Sequence, residues 1–123
     1  MVCQNGNALQ YVRDQTPEIC MAAVRQDGLA LQHVIKQTPE ICLAAVRQNG
    51  RALQYVREQT SEICLAAVRK NGRVLRYIVN QTPEICAEAI KQDSEACKYV
   101  KLPESEDERE KFIRKLGLLL LSA

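Results

Sequence analysis

Six cysteines, one histidine and evenly spaced glutamates and arginines are the side chains with the capacity for chemistry in this 123-residue chain. Cys20, Cys42, Cys64 and Cys86 recur at an interval of 22 residues. A disulfide needs Cα atoms within ~7 Å, whereas equivalent helices in a stack lie about 8–10 Å apart. The four thiols are therefore expected to be free and to act as small buried hydrophobes. No close pair of Cys or His has the chelate spacing of a zinc site, so no metal and no cofactor is expected. Cys97 stands at a leucine position of the repeat and is expected in the core. Cys3 stands at an arginine position and is expected on the surface, open to oxidative crosslinking. His33 takes the place of Tyr11, Tyr55, Tyr77 and Tyr99 of the other copies, which points to a half-exposed aromatic substitute rather than a base. Glu18, Glu40, Glu62 and Glu84 follow the same period and read as helix first-turn charges.

Catalysis calls for a singular constellation of nucleophile, base and orienting group. Here almost every polar candidate recurs in each copy, no Ser or Cys has its own His and carboxylate, and no Gly-rich phosphate loop appears. The chain reads as a non-enzyme. What varies between copies is more informative. Arg25, Arg47, Arg69 and Lys91 form a periodic basic row, and Arg51, Arg73 and Arg76 add charge in the third and fourth copies. Outward positions of a repeat stack are where a binding surface is written, because stacking fixes the inward ones. These seven cations are the candidate partner-binding residues, suited to an acidic protein or to phosphates. The alternative is a solvated face, balanced by glutamates seven residues before each member of the row.

The elements that must position these residues follow from the period. Gly6, Gly28, Gly50 and Gly72 are in register, with Ser94 in fifth place, and so are Thr16, Thr38, Thr60 and Thr82. Each unit encodes two short helices. Before the second, Thr is an N-cap, and Pro17, Pro39 and Pro83 sit where a missing N–H costs least; Ser61 replaces Pro in the third copy. Gln15, Gln37, Gln59 and Gln81 precede the caps and are expected to bond backbone in the inter-helix turn. Asp-Gly or Asn-Gly closes the helix, with Gly expected in the left-handed position after it. The first helix of each unit is expected from just after Gly to about the Gln, over roughly residues 7–14 in the first copy, with Ala8, Leu9 and Val12 facing inward. Helices of ~8–11 residues are marginal alone. Stacking merges their stripes into one core.

The fold expected is therefore all-α, an α-solenoid of short two-helix repeats. About 4.5 copies span residues 1–102, and residues 103–123 form a C-terminal capping helix. Ser105 and Glu108 read as a capping box. The helix they start runs through Phe112, Ile113 and Leu116, with Gly117 as a potential break before Leu118–Leu121. The chain opens in the last turn of a helix whose start is absent. That apolar end face, or the Leu-rich tail, is the expected route to a homodimer.

Composition narrows the classes further. Apolar residues make up 46% and charged residues 26%, the balance of a folding domain rather than a disordered one. Net charge is only +2, which predicts no strong general affinity for nucleic acid or anionic membrane. No signal peptide is read at the N-terminus, and no apolar run approaches the ~20 residues of a membrane span. A cytoplasmic location, of the producing or infected cell, is expected.

The pattern Ala-Leu-x-Tyr-Val followed by Pro-Glu-Ile-Cys-Leu-Ala-Ala-Val-x-x-Asn-Gly resembles the short helical repeats of a family of unknown function found in giant DNA viruses, phages and intracellular bacteria. Residues 2–102 carry the resemblance. It implies α-helical repeats and a viral or effector setting, and it brings no catalytic residues. The function expected is a non-catalytic module for protein–protein interaction, by analogy an inhibitor or adaptor of a host or phage-defence factor. Two alternatives are a nucleic-acid-binding solenoid using the arginine face and a structural homo-oligomer.

Overall fold

A computed structural model of the chain describes Leu9 and residues 11–122. Four α-helices of ten residues alternate with four six-residue 3₁₀ helices: α1 (Pro17–Gln26), η1 (Gly28–His33), α2 (Pro39–Gln48), η2 (Gly50–Tyr55), α3 (Ser61–Lys70), η3 (Gly72–Tyr77), α4 (Pro83–Gln92) and η4 (Ser94–Tyr99). A longer helix, α5 (Glu106–Leu121), follows. Each α-helix packs on the next and each 3₁₀ helix on the next, giving two layers that run the length of the stack. The core lies between them. It takes Ile41, Cys42, Ala45 and Val46 and their equivalents from the α layer, and Ala52, Leu53 and Val56 and theirs from the 3₁₀ layer. The expected all-α, solenoid-like stack of two-element units is the observed architecture.

The α-helices begin as their sequence predicts. Thr16, Thr38, Thr60 and Thr82 accept, through Oγ1, the backbone N–H of Ile19, Ile41, Ile63 and Ile85 at 3.2–3.3 Å. The other half of each unit differs from expectation. It is a 3₁₀ helix of six residues, about 12 Å long at ~2.0 Å per residue, not an α-helix reaching the Gln. Its bonds run Ala30 N–H to Asp27 O and Val34 N–H to Leu31 O. Three-residue turns bring Leu31 and Val34 to one side, and both are fully buried. The first copy's equivalent, expected over residues 7–14, falls largely outside the described residues, as do Cys3 and most of the expected N-terminal end face.

The glutamine before each Thr cap explains why the 3₁₀ helix stops. The Gln37 side-chain N–H donates to Tyr55 O at 2.7 Å, and its Oε1 accepts the Arg57 N–H at 3.1 Å. Gln15 clasps His33 O and the Ile35 N–H in the same way, at 2.7 and 2.8 Å. Gln59 does so with Tyr77 O and the Val79 N–H (2.7 and 3.1 Å), and Gln81 with Tyr99 O and the Lys101 N–H (3.1 and 2.8 Å). Each amide thus takes up, from the following repeat, the carbonyl and N–H on either side of the residue where the chain leaves the 3₁₀ helix. Groups engaged in this way cannot extend that helix.

The glycines have a different task from the one expected. No described glycine has positive φ. Each of α1–α4 ends instead on an extended Asp or Asn, and Asp27, Asn49, Asn71 and Asp93 then cap the following 3₁₀ helix through Oδ1. Glycine is required by close approach: a Cβ on Gly50 would lie 2.9 Å from Ala67 O of the next α-helix, and Gly28 and Gly72 face Ala45 O and Ala89 O. Ser94 tolerates its side chain because no further ten-residue helix follows in register.

The C-terminal helix packs on α4. Phe112 is buried there, Leu116 packs against the core, and Lys115 Nζ reaches Glu84 Oε1 at 2.7 Å. The Ser105 side chain makes no cap bond. Arg109 braces the approach instead, donating to Pro103 O and Glu104 O at 3.2 and 3.0 Å. Gly117 does not break the helix, which runs on through Leu121, leaving Leu118 and Leu121 exposed. Among the described residues α5 covers α4 but not η4. Cys97, on η4, is consequently exposed, contrary to its leucine-position register; Leu31, Leu53 and Leu75 are buried because another repeat follows them.

Two predictions follow from this packing. Gln59→Ala strips two backbone groups of their partner and should lower stability by about 1–3 kcal/mol, while Gln54→Ala, whose exposed amide only reaches Arg51 O within its own helix, should stay within ~0.5 kcal/mol; urea unfolding followed by circular dichroism measures both. The second contrasts two glycines. Gly50→Ala should destabilise by forcing α3 away, whereas Gly117→Ala, with nothing within 4 Å of the new Cβ, should stabilise α5 by about 0.5–1 kcal/mol, both read as shifts in Tm.

Candidate functional site

The four periodic thiols are locked into the stack, while Cys97 is free and exposed. Cys20, Cys42, Cys64 and Cys86 are free and buried. The thiols of Cys20, Cys42 and Cys86 lie 3.7, 3.4 and 3.5 Å from Oε1 of Gln15, Gln37 and Gln81, as donors to the acceptor that also holds the next repeat. Burial pushes all four thiols above the ordinary cysteine range, Cys86 to about 11. The thiolate is the nucleophilic form, and here it is disfavoured. His33 is half-exposed, as its tyrosine register predicts. Among the described residues no group of three His, Cys, Asp or Glu side chains is placed to hold a metal ion.

The seven sequence-predicted cations divide into two sets. Arg25, Arg47, Arg69 and Lys91 sit exposed in the last turns of α1–α4. They complement the negative helix ends, and among them only Arg69 has a carboxylate partner in the described residues, Glu88 at 3.7 Å. They do not converge. Arg51, Arg73 and Arg76 do. With Gln54, Asn71, Val74, Tyr77 and Tyr99 they line one open cleft of about 330 Å³ across η2, η3 and η4.

The geometry of the cleft comes from the 3₁₀ register. The residue after each glycine and the residue four beyond it face outward, so Arg51 of one repeat and Arg73 and Arg76 of the next are brought to the same side. Arg73 is engaged by the following repeat: its Nε lies 2.7 Å from Asp93 Oδ2 and its Nη2 3.4 Å from Glu95 Oε2. This contact holds the Asp93 carboxyl below the usual carboxylate range, with the Glu95 backbone N–H adding to it. Arg76 is held differently. Its guanidinium carbon stands 4.9 Å from the Tyr77 ring centroid and 6.0 Å from that of Tyr99, and Nη2 donates to the Tyr77 hydroxyl at 3.0 Å. Among the described residues neither Arg51 nor Arg76 has an ion-pair partner.

Counting basic residues finds the three arginines but not Tyr77 and Tyr99. The signal for them is the tyrosine that recurs at the end of η2, η3 and η4, where η1 has His33; Arg76 directly precedes one of them.

A two-layered stack of repeating units, with a cationic–aromatic cleft on one layer, defines the molecule as a helical-repeat protein. The model of the domain of unknown function DUF4116 matches residues 16–60 and again 39–81, and the chain belongs to that family. The first match runs from one Thr cap to the second one after it, spanning two periods of the repeat. No curated protein and no solved structure matches the chain. Among the described residues no helix is long and apolar enough to cross a membrane.

The thiols give the stack a defined alkaline limit. Native pKa values raised above the ordinary cysteine value of 9.0 mean that the unfolded chain loses these protons first as pH rises. The thiols' stabilising contribution should be whole below pH ~9 and should fall between ~9 and ~11. Urea unfolding across that range should show the decline, and Cys86→Ala should flatten its slope while lowering stability at pH 7.

Proposed function

We propose that this chain is a non-catalytic binding module that recognises another protein through the outward face of its 3₁₀ layer, acting as an adaptor or inhibitor. One observation carries the reading. The repeat locks the inward positions and engages the four periodic thiols, while three of the variable cations converge on a single cleft in which Arg51 and Arg76 have no ion-pair partner among the described residues. Guanidinium groups in such a setting favour carboxylate or phosphate partners. The reading extends to Arg25, Arg47, Arg69 and Lys91 only as peripheral charge, since they lie outside the cleft.

Affinity capture from nuclease-treated lysate of the source cell tests it, with folding of every variant checked by circular dichroism. A partner protein should be retained by the unaltered chain and by Arg25→Glu/Arg47→Glu, and lost from Arg51→Glu/Arg76→Glu. Equal recovery by both variants rejects this face. Recovery abolished by nuclease moves the reading to nucleic acid.

A further inference from the structure

We infer that the cleft between η2 and η4 is an oxyanion site that takes one phosphoryl group carried by the protein partner. The inference rests on the binding-module reading and specifies its ligand.

Charge is the first argument. Arg73 and Lys98 are met by Asp93 and Glu95, two cations against two carboxylates, so the uncompensated positive charge of the cleft comes from Arg51 and Arg76. A phosphate monoester carries about −1.5 to −2 at pH 7. It matches two guanidiniums where a carboxylate, with one charge, would leave the cleft positive.

Pre-organisation is the second. Arg76 is fixed by the Tyr77 ring and hydroxyl and by the Tyr99 ring. One N–H goes to the Tyr77 hydroxyl, and an arginine has five, so a fork of donors remains for a bidentate contact with phosphoryl oxygens. The guanidinium meets its ligand with little further ordering.

Extent is the third argument, and it separates one phosphoryl group from a polyanion. The repeat before the cleft presents Leu29 and Gln32 where the cleft has Arg51 and Gln54, and the repeat after it presents Glu95 and Lys98, which pair with each other at 3.5 Å. A nucleic acid continuing along the layer would set its next phosphates against an apolar side chain on one side and, on the other, against Asp93, Glu95 and a lysine already engaged by Glu95. The positive region is one ligand long.

The test is a titration of the full chain, followed by the Tyr77 and Tyr99 ring signals and the arginine Nε–H signals in NMR spectra. The probes are a short phosphoserine peptide, its unphosphorylated parent, the same peptide with glutamate in place of phosphoserine, and a single-stranded oligothymidylate. The phosphopeptide should saturate one site, and the parent should not bind. Arg51→Gln and Arg76→Gln, both at exposed positions, should each weaken binding roughly 10- to 100-fold, and Arg25→Gln should leave it unchanged. Three results overturn the inference: glutamate peptide binding as tight as phosphopeptide; oligothymidylate binding tighter than the phosphopeptide with a steep salt dependence; or no saturable shift across the millimolar range. Loss of the captured partner from Arg51→Glu/Arg76→Glu without phosphopeptide binding would sink the phosphoryl assignment and leave the module reading standing. Phosphopeptide binding with the partner still captured by that variant would do the reverse.

Discussion

One glutamine amide per repeat holds this molecule in register. Its N–H donates to a carbonyl, and its Oε1 accepts an N–H, of the next repeat. Where the 3₁₀ helix ends, those two backbone groups have no partner in their own segment. The bond to the carbonyl is part-buried and the bond from the N–H is exposed; at about 0.5–1.5 kcal/mol net for each such hydrogen bond, the pair approaches the ~1.5–3 kcal/mol gained by burying a leucine. A ten-residue helix beside a six-residue one has little margin to absorb that loss. The clasp supplies both bonds from one planar side chain, fixed at its base by the adjoining Thr cap. It also decides where the 3₁₀ helix ends and how far the next repeat can slide. The strict spacing of 22 residues follows from it as much as from the core.

Which features could be read from the chain, and which could not, depends on the range of the interaction responsible. Thr16 and its equivalents act on a backbone N–H three residues away, and their role is plain in the sequence. The buried, free state of Cys20, Cys42, Cys64 and Cys86 follows from the period alone. The errors arise where a neighbour decides. Ala30, Leu31 and Val34 suit an α-helix or a 3₁₀ helix equally well; the choice is made by Gln15 of the preceding repeat. Gly28 looks like a left-handed helix end until the next helix is placed, when the Ala45 carbonyl proves to be the constraint. Cys97 has a core residue's position and an exposed side chain because the neighbour that would bury it is missing from the 3₁₀ layer. Gly117 lies on an open face of α5, where nothing nearby penalises or exploits it.

The candidate site shows the same division. Counting charges identifies seven cations, and spacing alone would set them in a row. Only folding separates Arg25, Arg47, Arg69 and Lys91, spread over four helix ends, from Arg51, Arg73 and Arg76, which meet. The row of four has a local explanation in the negative ends of the helices. The group of three has none of that kind. Arg73 is satisfied by the repeat that follows it, and Arg76 by tyrosines from two repeats.

The cleft therefore belongs to the array and not to a repeat. Arg51 comes from η2, Arg73, Arg76 and Tyr77 from η3, and Tyr99 from η4, so three successive repeats must be in register before it exists. In repeat arrays the energy of stacking resides in nearest-neighbour contacts, here the glutamine clasps and the shared leucine–valine core. The clasps that hold η3 and η4 in place bond Tyr77 O and Tyr99 O, the backbone carbonyls of the two tyrosines that frame Arg76. The interaction that keeps the repeats from sliding is thus attached directly to the aromatic wall of the cleft. Recognition chemistry can change at the positions after each glycine without disturbing it, because those side chains point away from the clasp. Divergence between copies is tolerated there and at the position four residues after each glycine; Arg51 holds the first and Arg76 the second, the two arginines of the cleft without an ion-pair partner among the described residues.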